Sequence, residues 1–193
     1  MMVKICGITN REDAQAAIDG GASALGFNFY PVSPRYISPD AAAAIIAALP
    51  ADVWKVGVFV DETPEVVVRI ARQAALNIAQ LHGSESPTQY PQAMRVWKAI
   101  RVREGAVLEA FDCPAEAVLL DGPASGVVFD WARAPQGIAK LILAGGLDAD
   151  NVRQAIEQVH PWGVDACSRL EKSPGRKDHV KMTAFLKAAL AAV

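Results

Sequence analysis

The sequence predicts a single compact (β/α)8 barrel, and three observations lead to this fold class. Eight short apolar runs alternate with longer stretches that have helical spacing. The runs are almost continuously hydrophobic, as expected for parallel strands that are covered by helices. The chain has 193 residues, 52% of them hydrophobic, which suffices for one sizeable core but is short for two. We therefore expect one domain over residues 1–193.

The predicted strands follow one another at a spacing that fits a repeated βα unit. They are VKIC (3–6), ALGFNF (24–29), WKVGVFV (54–60), NIAQLH (77–82), VWKAIRV (96–102), AVLLD (117–121), KLILAG (140–145) and GVDAC (163–167). An open doubly wound sheet also fits the alternation, but it usually stops at about five to seven strands, whereas the barrel needs eight. Because the chain is shorter than the usual barrel length of about 250 residues, we expect a weak sixth helix near 130–134.

Four helix starts are marked by capping residues. Thr9 with Glu12 has the capping-box spacing. Three further pairs combine an N-cap residue with proline at the first helical position, namely Ser38-Pro39, Thr63-Pro64 and Ser86-Pro87. Two segments then show one apolar face each, formed by Val152, Ala155, Ile156 and Val159, and by Met182, Phe185, Leu186, Ala189 and Leu190.

Composition narrows the class of partner. The net charge is -2 and the basic residues are dispersed, so neither nucleic acid nor an anionic membrane surface is indicated. Three widely spaced cysteines indicate neither a disulfide framework nor a zinc site. No apolar run approaches the roughly 18 residues of a membrane span. We expect a cytoplasmic protein that binds a small molecule and holds no metal.

Barrel enzymes assemble their active sites where the strands end, so polar residues that finish the apolar runs are the first candidates. These are Cys6, Asn28, Asp61, His82, Arg101, Asp121, Gly145, Gly146 and Asp165. A thiol and a carboxylate that face one another across an apolar cavity can act as base and acid. The alternatives are a buried cysteine that packs as a small hydrophobic residue and an aspartate that caps its own loop.

Two loops predict anion binding. Gly145 and Gly146 follow the seventh strand and Ser168 follows the eighth, where many barrels bind phosphate through backbone N–H groups. The two glycines can equally make a tight turn and nothing more. In the loop YPVSPRYISPD (30–40), three prolines surround Arg35, which is suited to hold a planar carboxylate unless it is simply exposed.

These motifs together resemble the phosphoribosylanthranilate isomerase family. The resemblance covers nearly the whole chain in the family's order, through KICGIT (4–9), GFNFYPVSPRYIS (26–38), VGVFVDE (56–62), AQLHG (79–83), KAIRV (98–102), LLD (119–121), FDW (129–131), LAGGLDADNV (143–152), GVD (163–165) and SPGRKD (173–178). A single block is weak evidence, but ten collinear blocks are specific. The resemblance implies a (β/α)8 barrel that works without a cofactor.

The resemblance also implies roles for individual residues. It makes Cys6 the base, Asp121 the acid and Arg35 the clamp for the anthranilate carboxylate. It places His82 in the same pocket and Asp165 near the ribose. The phosphate is expected on Gly145, Gly146 and the backbone of Cys167, Ser168 and Arg169.

The chain departs from the family's pattern in two segments. The family usually has a Gly-Thr-Gly segment before FDW, whereas residues 123–131 read PASGVVFDW. The family also has small residues after the eighth strand, where this chain has Cys167-Ser168-Arg169. We expect Arg169 to join the phosphate site and offset the lost donors; the alternative is that it points to solvent and pairs with Glu171 or another carboxylate.

The resemblance implies an isomerase that carries out the Amadori rearrangement of N-(5'-phosphoribosyl)anthranilate in tryptophan biosynthesis, as a monomer or homodimer. One rival is the histidine-pathway sugar-phosphate isomerase on the same barrel, but its first aspartate would stand where Cys6 does. Another is a catalytically silent phosphate-binding barrel. The joint presence of a base, an acid and a carboxylate clamp argues against this second rival.

Overall fold

The computed structural model describes residues 1–102, 113–135 and 137–192, and its centre is a closed barrel of eight strands. The strands are β1 (Met2–Ile5), β2 (Ala24–Asn28), β3 (Trp54–Phe59), β4 (Ile78–Leu81), β5 (Arg95–Arg101), β6 (Ala117–Asp121), β7 (Leu141–Leu143) and β8 (Gly163–Ala166). Each strand pairs in parallel with the next, and β8 pairs with β1 to close the barrel. The predicted fold class is confirmed.

Helices connect the strands outside the barrel. They are α1 (Arg11–Asp19), α2 (Pro39–Ile46), α3 (Pro64–Ala74), α4 (Val152–Val159) and α5 (His179–Leu190). Ser38 and Thr63 cap α2 and α3 as predicted, because each side chain accepts a hydrogen bond from the backbone N–H three residues later.

The predicted start of α1 is wrong by one residue. Asn10, not Thr9, is the N-cap, and its Oδ1 accepts a hydrogen bond of 2.8 Å from the backbone N–H of Asp13. The Thr9 hydroxyl instead donates to the carbonyl of Gly175, in a distant loop. A tertiary contact has therefore taken Thr9 away from the helix end.

Two connections are shorter than ordinary α-helices. Ser86-Pro87 begins a helix where predicted, but it is a single 3-10 turn, Pro87–Gln89. Pro91 follows closely and disfavours helical backbone at the residue before it. The weak sixth helix is likewise a 3-10 turn, Trp131–Arg133, at the predicted place.

The barrel has a core inside and a second core between strands and helices. Inside the barrel, an apolar cluster fills the part near the starts of the strands, and it includes Met2, Trp97 and Leu119. Outside, α5 buries the predicted residues from Met182 to Ala189. Leu190, the last residue of α5, is 42% exposed and is therefore covered less than the other members of this face. No helix among the described residues is long and apolar enough to cross a lipid bilayer.

Candidate active site

A cavity of about 810 Å³ opens where the barrel strands end. All nine strand-end candidates line it, and so do Arg35, Cys167 and Ser168. The volume lies within the range of about 300–1,000 Å³ that is typical of small-molecule sites. The sequence-based candidates are thus brought together in one place that suits a ligand of modest size.

Alternate residues of β1 and β8 point into the barrel and form opposed pairs. Lys4 and Asp165 are register partners, and Lys4 Nζ lies 2.8 Å from Asp165 Oδ2. The next inward residue on each side is a cysteine, Cys6 or Cys167, just past the strand ends. The backbone N–H of Cys6 donates to the carbonyl of Ala166 at 2.9 Å, so the register continues to this point.

The surroundings of Cys6 favour its thiolate. The Cys167 thiol donates a hydrogen bond that lowers the pKa of Cys6 well below that of a free thiol. Burial opposes this shift, but the cationic groups of Lys4 and Lys177 lower the pKa further. The reciprocal interaction raises the pKa of Cys167, which remains the protonated donor. Cys6 therefore has the protonation state that a base requires.

Lys4 had not been singled out from the sequence, although it precedes Cys6 by two residues and shares its face of the strand. Its side chain is fully buried. Burial by itself would favour the neutral amine, but attraction to Asp165 and Cys6 keeps the pKa of Lys4 above its usual value. The structure thus supplies a cationic neighbour for the thiol that the sequence did not identify.

Asp165 lies below the cysteines and offers an unpaired oxygen. Burial raises the pKa of its carboxyl to about 7, because desolvation and repulsion from Cys6 together outweigh the attraction of Lys4. Its Oδ1 is buried and has no hydrogen-bond partner among the described residues. A hydroxyl group of a ligand would satisfy this acceptor. The expectation that Asp165 lies near the ribose therefore stays a prediction, and the unpaired oxygen supports it.

Asp121 ends β6 and is the last member of a chain of three polar side chains. His82 Nε2 lies 3.1 Å from Asp121 Oδ2, and Gln80 Nε2 lies 3.3 Å from His82 Nδ1. The Gln80 NH2 group, which lies next to Nδ1, can only donate, so we assign the His82 proton to Nε2, which donates to Asp121. Gln80, which sequence reasoning missed, thereby orients the imidazole that holds Asp121.

Arg35 is held from behind by a carboxylate. Its Nε and Nη2 lie 2.9 and 2.7 Å from Glu171 Oε1 and Oε2, a bidentate pair. This hydrogen bonding raises the pKa of Arg35 above its usual value. Nη1 has no hydrogen-bond partner among the described residues. The guanidinium therefore keeps one edge for an anionic ligand in the cavity.

Glu171 is fixed independently of Arg35, within the short hairpin of β9 (Glu171–Ser173) and β10 (Arg176–Lys177). Its Oε1 accepts hydrogen bonds from Lys177 Nζ at 3.0 Å and from the backbone N–H of Gly175 at 3.2 Å. The fully buried Lys177 also lies 3.7 Å from Cys167 Sγ. This hairpin, which sequence reasoning did not assign to the site, connects the arginine with the cysteine pair.

Glycine-rich loops form another part of the cavity wall. Gly145 and Gly146 have φ of 81° and 68°, values at which residues other than glycine are strained. A side chain on Gly146 would come within 2.8 Å of the backbone nitrogen of Val128, so the loop after β6 also requires glycine here. The backbone N–H groups of Gly126 and Gly146 have no hydrogen-bond partner among the described residues, and both glycines line the cavity.

Arg169 connects three loops at the rim. Its Nη1 lies 2.6 Å from Asp148 Oδ2 and its Nε donates to the carbonyl of Gly126 at 3.0 Å. Its carboxylate partner is thus Asp148, not Glu171, and its side chain is 44% exposed. Its contribution to phosphate binding stays a prediction.

Asn28 and Asp61 make structural contacts at the cavity edge. The Asn28 amide bonds to the hydroxyl of Ser33 at 3.1 Å and to the backbone N–H of Tyr30 at 2.9 Å, which fixes the start of the proline-rich loop. Asp61 Oδ1 accepts from the backbone N–H of Ser84 at 2.6 Å. Both side chains thus hold loops at the cavity rim.

Comparison with known proteins identifies relatives of the whole chain. The family model for N-(5'-phosphoribosyl)anthranilate (PRA) isomerase matches residues 3–188. The N-(5'-phosphoribosyl)anthranilate isomerase of Solibacter usitatus (strain Ellin6076) is 54% identical over 200 residues, covering 100% of this chain and 99% of that protein.

Solved structures agree with this relationship. A crystal structure of phosphoribosyl anthranilate isomerase in complex with reduced 1-(o-carboxyphenylamino)-1-deoxyribulose 5-phosphate is 40% identical, with a TM-score of 0.85 and 99% of both chains covered. A structure of monomers generated from the dimeric isomerase of Thermotoga maritima is 39% identical, with a TM-score of 0.84 and 99% of both chains covered.

Proposed function

Because the chain belongs to the N-(5'-phosphoribosyl)anthranilate isomerase family, we propose that it converts N-(5'-phosphoribosyl)anthranilate into 1-(2-carboxyphenylamino)-1-deoxyribulose 5-phosphate. This Amadori rearrangement is an aldose–ketose isomerisation in tryptophan biosynthesis. The observation that carries the proposal is the joint presence, in one cavity, of a thiol with a lowered pKa, a carboxylate held by histidine, and an arginine with a free edge.

The two anionic ends of the substrate have different partners on the cavity wall. The anthranilate carboxylate pairs with the free edge of Arg35, while Glu171 holds the other edge. The phosphate accepts hydrogen bonds from the N–H groups of Gly126 and Gly146 and from the Ser168 hydroxyl, all on the cavity wall. The ribose between them lies over the unpaired Oδ1 of Asp165.

Asp121 is the general acid. It acts in its protonated form: Oδ2 accepts the hydrogen bond from His82, and Oδ1 carries the proton that passes to the furanose ring oxygen. The bond between this oxygen and C1' then breaks, and the nitrogen lone pair forms a protonated Schiff base with C1'. General acid catalysis of this kind contributes about 10²- to 10⁴-fold to a rate.

Cys6 is the general base. Its thiolate removes the proton from C2', and the electron pair forms the C1'–C2' double bond of an enolamine while the Schiff-base nitrogen becomes neutral. The Cys6 thiol then protonates C1' and the enol proton passes to Asp121, which gives the ketone and returns both residues to their starting states. Atoms and charge balance, and Lys4 and Lys177 stabilise the thiolate between turnovers.

The expected partner is the small-molecule substrate. We propose that the chain acts as a monomer or homodimer, which is supported by the dimeric isomerase of Thermotoga maritima and the monomers generated from it. The cytoplasmic location expected from the sequence stays a prediction.

A turnover assay tests the proposal directly. Purified protein is mixed with freshly formed N-(5'-phosphoribosyl)anthranilate, and the loss of its fluorescence is followed. The proposed function requires an enzyme-dependent loss that yields the ribulose product by mass spectrometry. If the substrate persists but inorganic phosphate binds, the chain is a silent phosphate-binding barrel; turnover of the analogous histidine-pathway substrate alone would assign it to that activity.

A further inference from the structure

We propose that Cys6 and Cys167 are a reversible oxidation site at which hydroperoxides convert the two thiols into an intramolecular disulfide. The disulfide would remove the base assigned to Cys6 and so switch off turnover. The consequence for turnover rests on the proposed function, whereas formation of the disulfide does not.

The backbone places the two cysteines within reach of a disulfide. Lys4 pairs with Asp165 in the β1–β8 register, and Cys6 and Cys167 are the next inward residues on each side. Adjacent strands lie about 4.7–4.9 Å apart, which falls within the Cα–Cα range of about 4.4–6.8 Å for disulfides. Both side chains point into the same cavity, and both cysteines are free and partly exposed.

Close packing keeps the two sulfur atoms in this place. A methyl group on Gly26 would come within 2.7 Å of Cys6 Sγ, so the absence of a side chain there leaves room for the thiol. On the other side, Cys167 Sγ lies 3.7 Å from Lys177 Nζ and 3.9 Å from Glu171 Oε1. The two thiols influence each other's ionisation, since interaction with Cys167 lowers the pKa of Cys6 and raises the pKa of Cys167.

The environment also determines which cysteine reacts first. Cys6 is stabilised as a thiolate by Lys4, Lys177 and the Cys167 thiol, and thiolates are the form that hydroperoxides oxidise. The Cys6 thiolate attacks one peroxide oxygen, the O–O bond breaks, and the departing oxygen takes up a proton to give an alcohol or water. Cys6 becomes a sulfenic acid.

Cys167 then completes the disulfide. Its sulfur attacks the sulfur of the sulfenic acid, the S–O bond breaks, and hydroxide leaves with the Cys167 proton as water. The net change is the loss of two hydrogen atoms from the protein and the reduction of one hydroperoxide. A dithiol such as dithiothreitol reverses it by thiol–disulfide exchange.

The experiment begins with Cys113→Ser, which removes the third cysteine. Cys113 does not line the cavity, and its sulfur lies 3.7 Å from the hydroxyl of Tyr90, so this background leaves the site intact. After a short treatment with hydrogen peroxide, we expect the thiols titrated in denaturant to fall from two to none. Peptide mapping without reductant should identify a Cys6–Cys167 cross-link within one chain, and dithiothreitol should restore both thiols.

The matched variant is Cys113→Ser with Cys167→Ser, which keeps a hydroxyl as hydrogen-bond donor to Cys6 but cannot form the disulfide. Turnover of each protein is expressed relative to its own value before oxidation. We expect dithiothreitol to restore most of the turnover that the single variant had before oxidation. The double variant should recover less than about a tenth of its own earlier turnover, because its Cys6 proceeds to sulfinic acid.

Three results would overturn the inference. The first is oxidation of Cys6 beyond the sulfenic acid while Cys167 keeps its thiol. The second is a cross-link found between two chains and not within one. The third is equal recovery of the single and double variants with dithiothreitol. A mapped disulfide in a protein that never turns over the substrate would instead refute the proposed function and leave the oxidation site standing.

Discussion

Replacing Arg35 by methionine should abolish the protein's preference for ligands that carry the anthranilate carboxylate. Glu171 holds the Nε and Nη2 edge of the guanidinium at 2.9 and 2.7 Å, and Glu171 is itself anchored by Lys177 and Gly175. The arginine therefore does not have to be ordered when the ligand arrives. Methionine keeps a similar chain length and removes the hydrogen bonds and the charge.

The size of the effect follows from the kind of contact. A hydrogen bond to a charged group contributes about 1.5–3 kcal/mol, and about 1.4 kcal/mol corresponds to a tenfold change in affinity. We therefore expect Arg35→Met to weaken binding of the reduced product analogue by about 10- to 150-fold. Arg35→Lys should lose most of the same affinity, because one ammonium group cannot serve both Glu171 and the ligand with a planar fork.

The assay changes protein and ligand together. Calorimetry measures the affinity of wild type and Arg35→Met for the reduced product analogue and for the same molecule without its carboxylate. In the wild type the carboxylate should strengthen binding, whereas in Arg35→Met the two ligands should bind about equally. If the carboxylate strengthens binding equally in wild type and Arg35→Met, Arg35 does not bind it. If the wild type binds both ligands with nearly equal affinity, the whole carboxylate site is refuted.

Three further predictions concern the acid, the base and the rim. Cys6→Ala and Asp121→Asn should each lower kcat by about 10²- to 10⁴-fold with little change in KM, because each removes a proton transfer; near wild-type kcat in either would sink that assignment. Arg169→Gly should raise KM several-fold. With added salt, KM of the wild type should rise more steeply than KM of the variant, because salt screens an exposed charge. Equal KM values and equal salt slopes for the two proteins would mean that Arg169 only connects loops. The acid limb of the kcat/KM profile should have a pKa below that of an ordinary thiol, since Cys6 must be deprotonated and its pKa is lowered. Cys167→Ala should move this limb to higher pH, and Cys167→Ser should move it much less. Coincident profiles for the two variants would contradict the hydrogen bond from Cys167.

The sequence predicted those features that depend on local pattern. The strands were found from hydrophobic runs, and the strand-end rule gathered nine candidates that all line one cavity. Lys4 was also within reach of this reasoning, because side chains two residues apart on a strand share a face. The pattern alone does not indicate its role, because a lysine inside an apolar run usually indicates an exposed side chain, whereas this one is buried against Asp165.

Other features depend on contacts between distant parts of the chain and could not be predicted. Glu171 is 136 residues from Arg35 in sequence, and its role appears only when the hairpin folds over the barrel. The α1 cap shows the same limit on a smaller scale. Thr9 and Asn10 are both good N-cap residues with an acidic residue three positions later, and the distant carbonyl of Gly175 decides between them.

The segment after β8 contributes to three parts of the candidate site. Cys167 lowers the pKa of the proposed base, Glu171 holds the proposed carboxylate clamp, and Arg169 connects the loops around the expected phosphate site. Lys177 returns from the hairpin to touch both Cys167 and Glu171. Since one short segment supports three parts of the site, a change within it should alter proton transfer and binding together, whereas the first effect of a change at Arg35 should be on binding.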